Sequence, residues 1–347
     1  MLTEVFYLHE KGSLADARLC TYILDDSDSI AIEKRPMMLI CPGGGYEHTS
    51  DREAEPLAMH FLSIGYHVAV LRYSVAPAVY PTALLEATAS MKLIHEHAKE
   101  WYVDTDKIVV QGSSAGGHLA ACLAMFWHTK WLAEMAGVTN DILKPAAMLL
   151  NYPVITSGEY AHRGSFKQLL GGNETEELLE LLSLEKQVTE HTPPAFIWHT
   201  YTDQSVPVQN SLLLIGAMKK YEIPVEFHMY PVGKHGLSTC SRLTAMRRQL
   251  RKWSGCLLLF RQQRRHRPAV RHVLRRSGME QAQLLLREQG YLNRRLQSQQ
   301  QSALRSACGQ SRHRLRIKRG MLLLLCLLLP RREPVWSARK QESLLPG

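Results

Sequence analysis

Residues 111–120, QGSSAGGHLA, decide the fold, because they place a glycine-rich turn directly behind the short apolar run KIVV. The pattern G-x-S-x-G fits this stretch in one register only, on Gly112, Ser114 and Gly116. Small residues at this spacing are typical of a strained strand-to-helix turn that lifts a serine hydroxyl clear of a sheet. Ser114 is therefore the candidate nucleophile and Ser113 only a small neighbour. A plain glycine-rich turn is the alternative.

Glycine-rich turns also cradle phosphates, which is a second alternative for this stretch. A P-loop requires Gly-Lys-Ser or Gly-Lys-Thr after its glycines, and a dinucleotide-binding turn requires G-x-G-x-x-G. Neither pattern can be laid on residues 111–120. The turn therefore favours a nucleophile over a phosphate site.

Outward from this turn, apolar runs of strand-like composition alternate with helical patterns. The expected strands are residues 4–8, 17–23, 37–41, 67–73, 107–110, 146–151, 195–199 and 225–230. The expected helices are residues 53–64, 82–100, 115–128 and 208–221. Such alternation predicts an α/β fold with a mostly parallel central sheet and helices on both faces. Residues 157–194 break the alternation and predict a small lid-like insertion above the carboxyl edge of the sheet, where such folds bind ligands.

A second glycine-rich stretch, PGGGY at residues 42–46, follows the first predicted parallel strand. A nucleophilic serine needs pre-positioned amides that face the developing oxyanion. Three glycines allow the backbone to turn its N–H groups towards such a point, and the loop after this strand is where this type of fold keeps one donor. A tight turn between strand and helix is the alternative, although one glycine usually suffices for that.

An acid and a base should follow the serine in the order Ser, Asp or Glu, His. Asp203 is the last aspartate in the chain and lies just beyond the strand expected at residues 195–199. Its alternative role is to cap the helix that starts near Pro207. His235 lies in the loop after the last strand, between two glycines, and is free to reach Ser114 while Asp203 fixes its tautomer.

Three other histidines after the serine are weaker candidates for the base. His118 belongs to the helix that follows Ser114 and is expected to point away from it. His199 ends one expected strand and His228 lies inside another, where packing or surface roles are more common. The sequence therefore favours His235 as the base.

The charge distribution divides the chain into two parts. Residues 1–239 carry a net charge of −11, whereas residues 240–347 carry +21, with 22 arginines and no aspartate. An acidic globular part has no electrostatic reason to bind nucleic acid, so only the tail could do so. We expect a catalytic domain over 1–239. The tail is either a frame-shifted continuation of the gene or a disordered arm for nucleic acid or a membrane surface, and its apolar spacing predicts a helix over 240–254.

Targeting and metal signals are weak in this sequence. The first residues, MLTEVFYLHEKGSL, lack the basic segment and the apolar run of a signal peptide, so a cytoplasmic location is expected. The longest apolar run, residues 321–329, is far shorter than the roughly 20 residues of a spanning helix, so no membrane partner is expected. The seven cysteines include no CxxC pair, and no metal site is expected.

Residues 1–238 resemble the α/β-hydrolases of the acetylesterase type, in particular the acetyl-xylan-esterase-like and ferulic-acid-esterase-like (BD-FAE) carbohydrate esterases. The resemblance rests on seven stretches in the right order: CPGGGYEHTSDREAEP, VLRYSVAP, YPTALLE, GSSAGGHLAA, GSFKQLLG, TPPAFIWHTYTDQSVPVQNS and YPVGKHGLS. Pro42 departs from the family pattern, because the familiar esterase form of the glycine stretch opens with histidine.

The resemblance implies an α/β-hydrolase fold and a serine-esterase mechanism without metal or cofactor. It matches Ser114 to the nucleophile, Asp203 to the acid and His235 to the base. It also matches the amide of Ala115 and those of the glycine stretch, with Gly44 and Gly45 favoured, to the oxyanion hole.

We therefore expect hydrolysis of small acyl esters, with acetylated xylo-oligosaccharides as the favoured substrate. The alternatives are a serine peptidase of the prolyl-oligopeptidase type, for whose propeller domain residues 1–239 have no room, and a non-catalytic binding protein on a hydrolase scaffold.

Overall fold

Eight strands form one sheet in residues 1–245, the part of the chain that the computed structural model describes. They are β1 Leu2–Tyr7, β2 Arg18–Ile23, β3 Arg35–Cys41, β4 His67–Arg72, β5 Val103–Ser113, β6 Ala147–Asn151, β7 Ala195–Thr200 and β8 Val225–Tyr230. Their order across the sheet is β1-β2-β4-β3-β5-β6-β7-β8. The pairs β1–β2 and β2–β4 are antiparallel, and every other pair is parallel. The predicted α/β fold with a mostly parallel sheet is confirmed.

Eight α-helices accompany the sheet within the described residues. They are α1 Glu55–Leu62, α2 Thr82–Glu96, α3 Ala115–Phe126, α4 Lys130–Ala136, α5 Asn140–Leu143, α6 Arg163–Leu170, α7 Glu176–Leu181 and α8 Gln209–Lys220. The four helices expected from the sequence correspond to α1, α2, α3 and α8. Helices α4 and α5 were not expected, because they are too short to show a clear apolar period. None of the described helices is long and apolar enough to cross a membrane.

The segment predicted as an insertion, residues 157–194, lies between β6 and β7. It contains α6, α7 and a 3₁₀ turn, Leu184–Lys186. At the other end of the described chain, Arg242–Thr244 form a 3₁₀ turn where the sequence predicts the start of a helix over 240–254. The rest of that helix and of the predicted tail lies outside the described residues, and the domain boundary at residue 239 stays a prediction.

The central strands are buried on both faces of the sheet. Successive side chains point to opposite sides of a strand, and helices cover both sides. In β3, Met37 and Leu39 pack into one apolar cluster together with α2 and α3. Met38 and Ile40 pack into a second cluster on the opposite face, together with α1. All twelve residues of α3 are buried. The core therefore fixes α3, and with it the turn that precedes this helix.

Candidate active site

Ser114 lies on the turn between β5 and α3, at the carboxyl edge of the sheet. Its backbone has φ 55° and ψ −121°, a conformation that L-residues rarely adopt. Its amide donates to the Asn151 carbonyl oxygen (3.0 Å), and its own carbonyl oxygen accepts from Val154 (3.0 Å). Only 8% of the residue is exposed. The strained turn predicted from G-x-S-x-G is therefore present, and β6 holds it from the side.

The glycines of this nucleophile turn (residues 112–116) leave no space for a side chain. An added Cβ on Gly112 would lie 2.1 Å from the Gly116 carbonyl oxygen. An added Cβ on Gly116 would lie 2.1 Å from the Cys41 carbonyl oxygen and 2.3 Å from that of Pro42. The start of α3 thus packs directly on the end of β3, which brings the two glycine-rich stretches of the sequence together.

Ser114, His235 and Asp203 form an unbroken hydrogen-bonded row. Ser114 Oγ lies 2.7 Å from His235 Nε2, and His235 Nδ1 lies 2.7 Å from Asp203 Oδ2. A carboxylate can only accept, so Nδ1 carries the imidazole proton and Nε2 accepts from the serine hydroxyl. The structure thus brings together the three residues predicted from the sequence, in the order that nucleophilic catalysis by serine requires.

Asp203 is buried and remains an acceptor for several donors. Its Oδ1 accepts from the amides of Ser205 (2.9 Å) and Val206 (3.0 Å), while His199 Nε2 lies 3.5 Å from Oδ2. Burial raises the pKa of the Asp203 carboxyl, but hydrogen bonding to His199, His235 and Val206 outweighs burial and holds its pKa well below the usual range. The carboxylate therefore stays ionised beside His235. The alternative role predicted for Asp203, capping of the helix that follows, is not seen, because both amides lie in the loop before α8 and the N-cap of α8 is Val208, without a side-chain hydrogen bond.

The glycine loop (residues 42–46) approaches Ser114 from β3. The Gly43 amide donates to Glu53 Oε2 at 2.9 Å. Within residues 1–245, the amides of Gly44, Gly45 and Ala115 have no acceptor in the protein. Gly44 and Gly45 have φ values of +133° and +69°, which favour glycine. These three free amides are the predicted oxyanion donors, and Gly43 is excluded from that role because its N–H is already bonded.

Ser113 faces the interior, unlike its neighbour. It is completely buried, and its Oγ lies 3.2 Å from Gln111 Nε2 and 3.1 Å from Asn151 Nδ2. Its hydroxyl thus ties β5 to β6 and has no access to a substrate. The choice of Ser114 over Ser113, made from the register of the motif, agrees with this geometry.

His118 points away from Ser114, as expected, and joins two other segments. Its Nε2 donates to the Leu182 carbonyl oxygen (3.0 Å), so its Nδ1 accepts from the Tyr46 hydroxyl (3.0 Å). Burial lowers the pKa of His118 to about 4, and the imidazole is neutral at pH 7. His118 therefore connects α3 to the glycine loop and to the insertion.

The two strand histidines also differ from His235. His199 is fully buried, with Nδ1 2.8 Å from Ser211 Oγ and Nε2 2.9 Å from the Val206 carbonyl oxygen. His199 therefore has the packing role that the sequence predicts, and it also contacts Asp203, the candidate acid. His228 Nε2 lies 2.7 Å from Glu226 Oε1 on β8.

Within the described chain, no group of three or more His, Cys, Asp or Glu side chains is arranged to hold a metal ion.

Three residues around the site were missed by the sequence analysis. Glu53 binds the glycine loop, Tyr152 packs against His235 with ring centroids 5.0 Å apart, and His162 comes from the insertion. Burial, and then the charge of nearby His235, lower the pKa of His162, and its Nδ1 lies 2.8 Å from Ser165 Oγ. The only signal for His162 was its place in the segment that interrupts the α/β alternation.

Comparisons with known proteins identify the family to which the chain belongs. The BD-FAE family model matches residues 28–218. The chain belongs to the BD-FAE family. A solved α/β-hydrolase from a deep-sea metagenome is 33% identical to the chain, and the relatives of the chain include an acetylxylan esterase and an acetyl esterase. The resemblance stated from seven sequence stretches is therefore confirmed.

Three relatives of this BD-FAE chain illustrate the similarity. The crystal structure of an acetyl ester-xyloside bifunctional hydrolase from Caldicellulosiruptor lactoaceticus is 37% identical, with a TM-score of 0.59 over 71% of this chain and 86% of that one. Endo-1,4-beta-xylanase B of Butyrivibrio fibrisolvens is 36% identical over 60% of this chain and 33% of its own length. Acetylxylan esterase of Xylanibacter ruminicola is 28% identical over 56% and 39%, respectively. The chain thus spans about a third to two fifths of these two curated relatives.

Proposed function

We propose that this chain is a serine esterase that removes acetyl groups from acetylated xylo-oligosaccharides or similar small acyl esters. One observation carries the proposal: the row Asp203–His235–Ser114 has both hydrogen bonds at 2.7 Å and ends in a serine held at φ 55° beside free backbone amides. A plain turn would need neither the strained backbone of this serine nor a base aligned on its hydroxyl.

In the first half of the proposed reaction, Ser114 Oγ attacks the carbonyl carbon of the ester. His235 Nε2 takes the hydroxyl proton as the new C–O bond forms, and the carbonyl oxygen becomes an oxyanion. The amide of Ala115, at the N-terminus of α3, and those of Gly44 and Gly45 stabilise this charge. The bond to the leaving alcohol then breaks, and His235 returns the proton to the alcohol oxygen.

In the second half, water attacks the acetyl-serine while His235 Nε2 takes a proton from the water. The tetrahedral intermediate collapses, acetate leaves and the proton returns to Ser114 Oγ. Asp203 holds the Nδ1–H tautomer and stabilises the imidazolium in both halves. The depressed pKa of Asp203 keeps this carboxylate charged.

The preference for acetylated sugars is supported by two kinds of observation. The relatives include an acetyl ester-xyloside hydrolase and an acetylxylan esterase. In addition, Ser165 Oγ lies 3.9 Å from the position that a Cβ on Gly45 would take, and Ser165 is hydrogen-bonded to His162. Polar side chains from the insertion therefore lie beside the glycine loop, where a hydroxyl-rich leaving group would need partners. An acetylated oligosaccharide is the substrate that we propose.

Turnover of p-nitrophenyl acetate by Ser114→Ala tests the proposed nucleophile. We expect an intact fold by thermal melting and a rate lower by several orders of magnitude, because about 10⁴-fold or more is lost when a serine nucleophile is removed. Ser113→Ala is the matched control and should retain most of the activity. An unchanged rate in Ser114→Ala would refute the proposal.

Acyl and alcohol preference need a second measurement on the wild-type chain. Esters from acetate to octanoate, together with acetylated xylo-oligosaccharides, should show the highest kcat/KM on acetyl groups. Activity confined to long acyl chains would contradict the acetylesterase assignment. Equal rates on sugar and p-nitrophenyl acetates, after correction for leaving-group reactivity, would contradict the sugar preference.

A further inference from the structure

Glu53 is a buried carboxylate for which the reaction described above has no use. It ends the 3₁₀ turn Asp51–Glu53 and is only 3% exposed. No ion pair involves it within residues 1–245. A buried carboxylate is costly unless hydrogen bonds satisfy it, and Glu53 has one strong donor on each oxygen. These two donors belong to two different loops of the candidate active site.

The first donor belongs to the glycine loop. The Gly43 amide donates to Glu53 Oε2 at 2.9 Å, and the Gly43 carbonyl oxygen accepts from the Ser50 amide at 2.8 Å. An added Cβ on Gly43 would lie 2.6 Å from Glu53 Oε2 and 3.0 Å from Ser114 Cβ. Glu53 thus fixes the residue that contacts the nucleophile and immediately precedes the free amides of Gly44 and Gly45.

The second donor leads to the loop that carries His235. The Tyr152 hydroxyl donates to Glu53 Oε1 at 2.6 Å and accepts from the Ser238 amide at 2.8 Å. The Tyr152 ring meets the His235 ring edge-on, at an interplanar angle of 72°. Tyr152 therefore touches the base directly and binds the chain three residues beyond it.

The same 3₁₀ turn holds the His235 loop at two more points. The Arg52 side chain donates to the Gly236 carbonyl oxygen at 2.6 Å. The Ser238 hydroxyl donates to the Arg52 carbonyl oxygen at 2.6 Å. The segment that contains Glu53 is thus bonded to the residues on the C-terminal side of His235, and Glu53 extends that bonding to the glycine loop.

We propose that Glu53 is a positioning residue that holds the oxyanion amides and the His235 loop in mutual register. The proposal rests on the esterase function stated above and adds a determinant of its geometry. One carboxylate accepts from the glycine loop and from the Tyr152 hydroxyl, which in turn accepts from the Ser238 amide of the His235 loop. A shift of either loop is therefore resisted by the other through Glu53 and Tyr152. Movement of an oxyanion donor by a fraction of an ångström matters, because these donors act only when aimed at the developing charge.

The substitution Glu53→Gln distinguishes the hydrogen bonds of the carboxylate from the space that its side chain fills. A carboxylate accepts at both oxygens, whereas an amide accepts at one end and donates at the other. In Glu53→Gln, an NH₂ that faces Gly43 meets another N–H. An NH₂ that faces Tyr152 removes the acceptor for its hydroxyl. The substitution preserves the volume and breaks one of the two loop contacts.

The experiment measures how fast a fluorophosphonate labels Ser114, by intact-protein mass spectrometry, alongside kcat and KM for p-nitrophenyl acetate. Labelling needs the nucleophile, the base and the oxyanion donors but no natural substrate. Glu53→Gln and Tyr152→Phe should each lower the labelling rate and kcat by about 10- to 100-fold, below the loss for a deleted donor, with KM within about twofold of wild type. If the two act as one unit, the double variant should be no slower than Glu53→Gln.

Glu86→Gln is the matched control. Glu86 is another fully buried carboxylate, hydrogen-bonded to Ser74 and Ser13 rather than to either loop. Its substitution should lower the melting temperature and leave the labelling rate within about twofold of wild type.

Several results would overturn the proposal. Labelling of Glu53→Gln at the wild-type rate is one, and a loss proportional to the unfolded fraction in thermal melts is another. Additive losses in the double variant would show that the two loops are not coupled through Glu53. If Glu53→Gln does not fold, Tyr152→Phe alone decides, because it deletes only a hydroxyl.

A failure of the proposed esterase function would give results different from a failure of the role of Glu53. Rapid labelling of wild type at Ser114 without hydrolysis of any ester would refute the proposed substrate and leave the effect of Glu53 measurable. Labelling of Ser114→Ala at the wild-type rate would refute the nucleophile, and the role of Glu53 with it.

Discussion

The nucleophile turn and the glycine loop both aim backbone groups at one point, but they are held by different forces. The turn is fixed by close packing, with the Cβ position of Gly116 only 2.1 Å from the Cys41 carbonyl oxygen. The loop is fixed by side-chain hydrogen bonds from elsewhere, such as that of the Tyr73 hydroxyl to the Pro42 carbonyl oxygen (2.7 Å). The turn should therefore be sensitive to added volume. The loop is also closely packed at Gly43 and Gly44, but it should in addition be sensitive to the loss of polar groups.

The largest expected effect comes from adding volume to the turn. Gly116→Ala would drive a methyl group into the backbone carbonyls of Cys41 and Pro42, and backbone atoms in a core cannot move aside cheaply. We expect a loss of about 3 kcal/mol or more in the free energy of unfolding, measured by urea titration.

Gly216→Ala is the control for this substitution. Gly216 lies within α8, and nothing lies within 4 Å of its Cβ position, so alanine should be neutral or stabilising there. Similar unfolding free energies for the two variants would show that packing does not hold the turn.

A smaller effect, on activity more than on stability, is expected in the glycine loop. Gly45 has φ +69°, but its Cβ position is open, with Ser165 Oγ as its nearest neighbour at 3.9 Å. Gly45→Ala therefore costs about 1–2 kcal/mol of backbone strain, which the loop can relieve by rotating its amides. We expect kcat/KM for p-nitrophenyl acetate to fall about tenfold while the chain still folds.

Gly44→Ala sharpens this test, because its Cβ would lie 1.9 Å from the His48 carbonyl oxygen. It should lose both activity and stability. Full activity in Gly45→Ala would mean that the amides of this loop do not act as oxyanion donors.

The same contrast explains how much of the site could be predicted. Ser114 was predictable because a strained turn imposes a local rule on residues two apart in the sequence. Asp203 and His235 followed from their places after strands, since the carboxyl ends of parallel strands meet at one edge. The place of the glycine loop after β3 followed from the same rule, whereas the choice of the Gly44, Gly45 and Ala115 amides came from the family resemblance.

The support of the glycine loop was not predictable in this way. Glu53 and Tyr152 are 99 residues apart in the sequence, and a hydrogen bond over that distance leaves no periodicity or motif. Tyr46 and His118 are likewise joined only in the folded chain. Polar contacts between distant segments depend on how the loops are packed, which neither composition nor spacing encodes.

The smallest effect tests the polar support of the loop at its contact with His118. Burial lowers the pKa of His118 to about 4, below the ordinary value of 6.5. As the pH falls from about 6.5 to 4, the unfolded chain binds a proton that the folded chain refuses, so His118 favours unfolding increasingly across this window. The slope is at most about 1.4 kcal/mol per pH unit for one proton.

His118→Gln should flatten this dependence without loosening the loop. The glutamine carbonyl can accept from Tyr46, and its NH₂ can donate to the Leu182 carbonyl oxygen, but the side chain does not titrate. As the pH falls from 7 to 5, the unfolding free energy of wild type should therefore decrease more than that of the variant. His67, whose pKa burial also lowers to about 4, leaves a residual slope in both proteins. Parallel profiles of unfolding free energy against pH would show that the fold does not hold His118 neutral beside Tyr46. The contact between His118 and Tyr46 would then not support the glycine loop as close packing at Gly116 supports the turn.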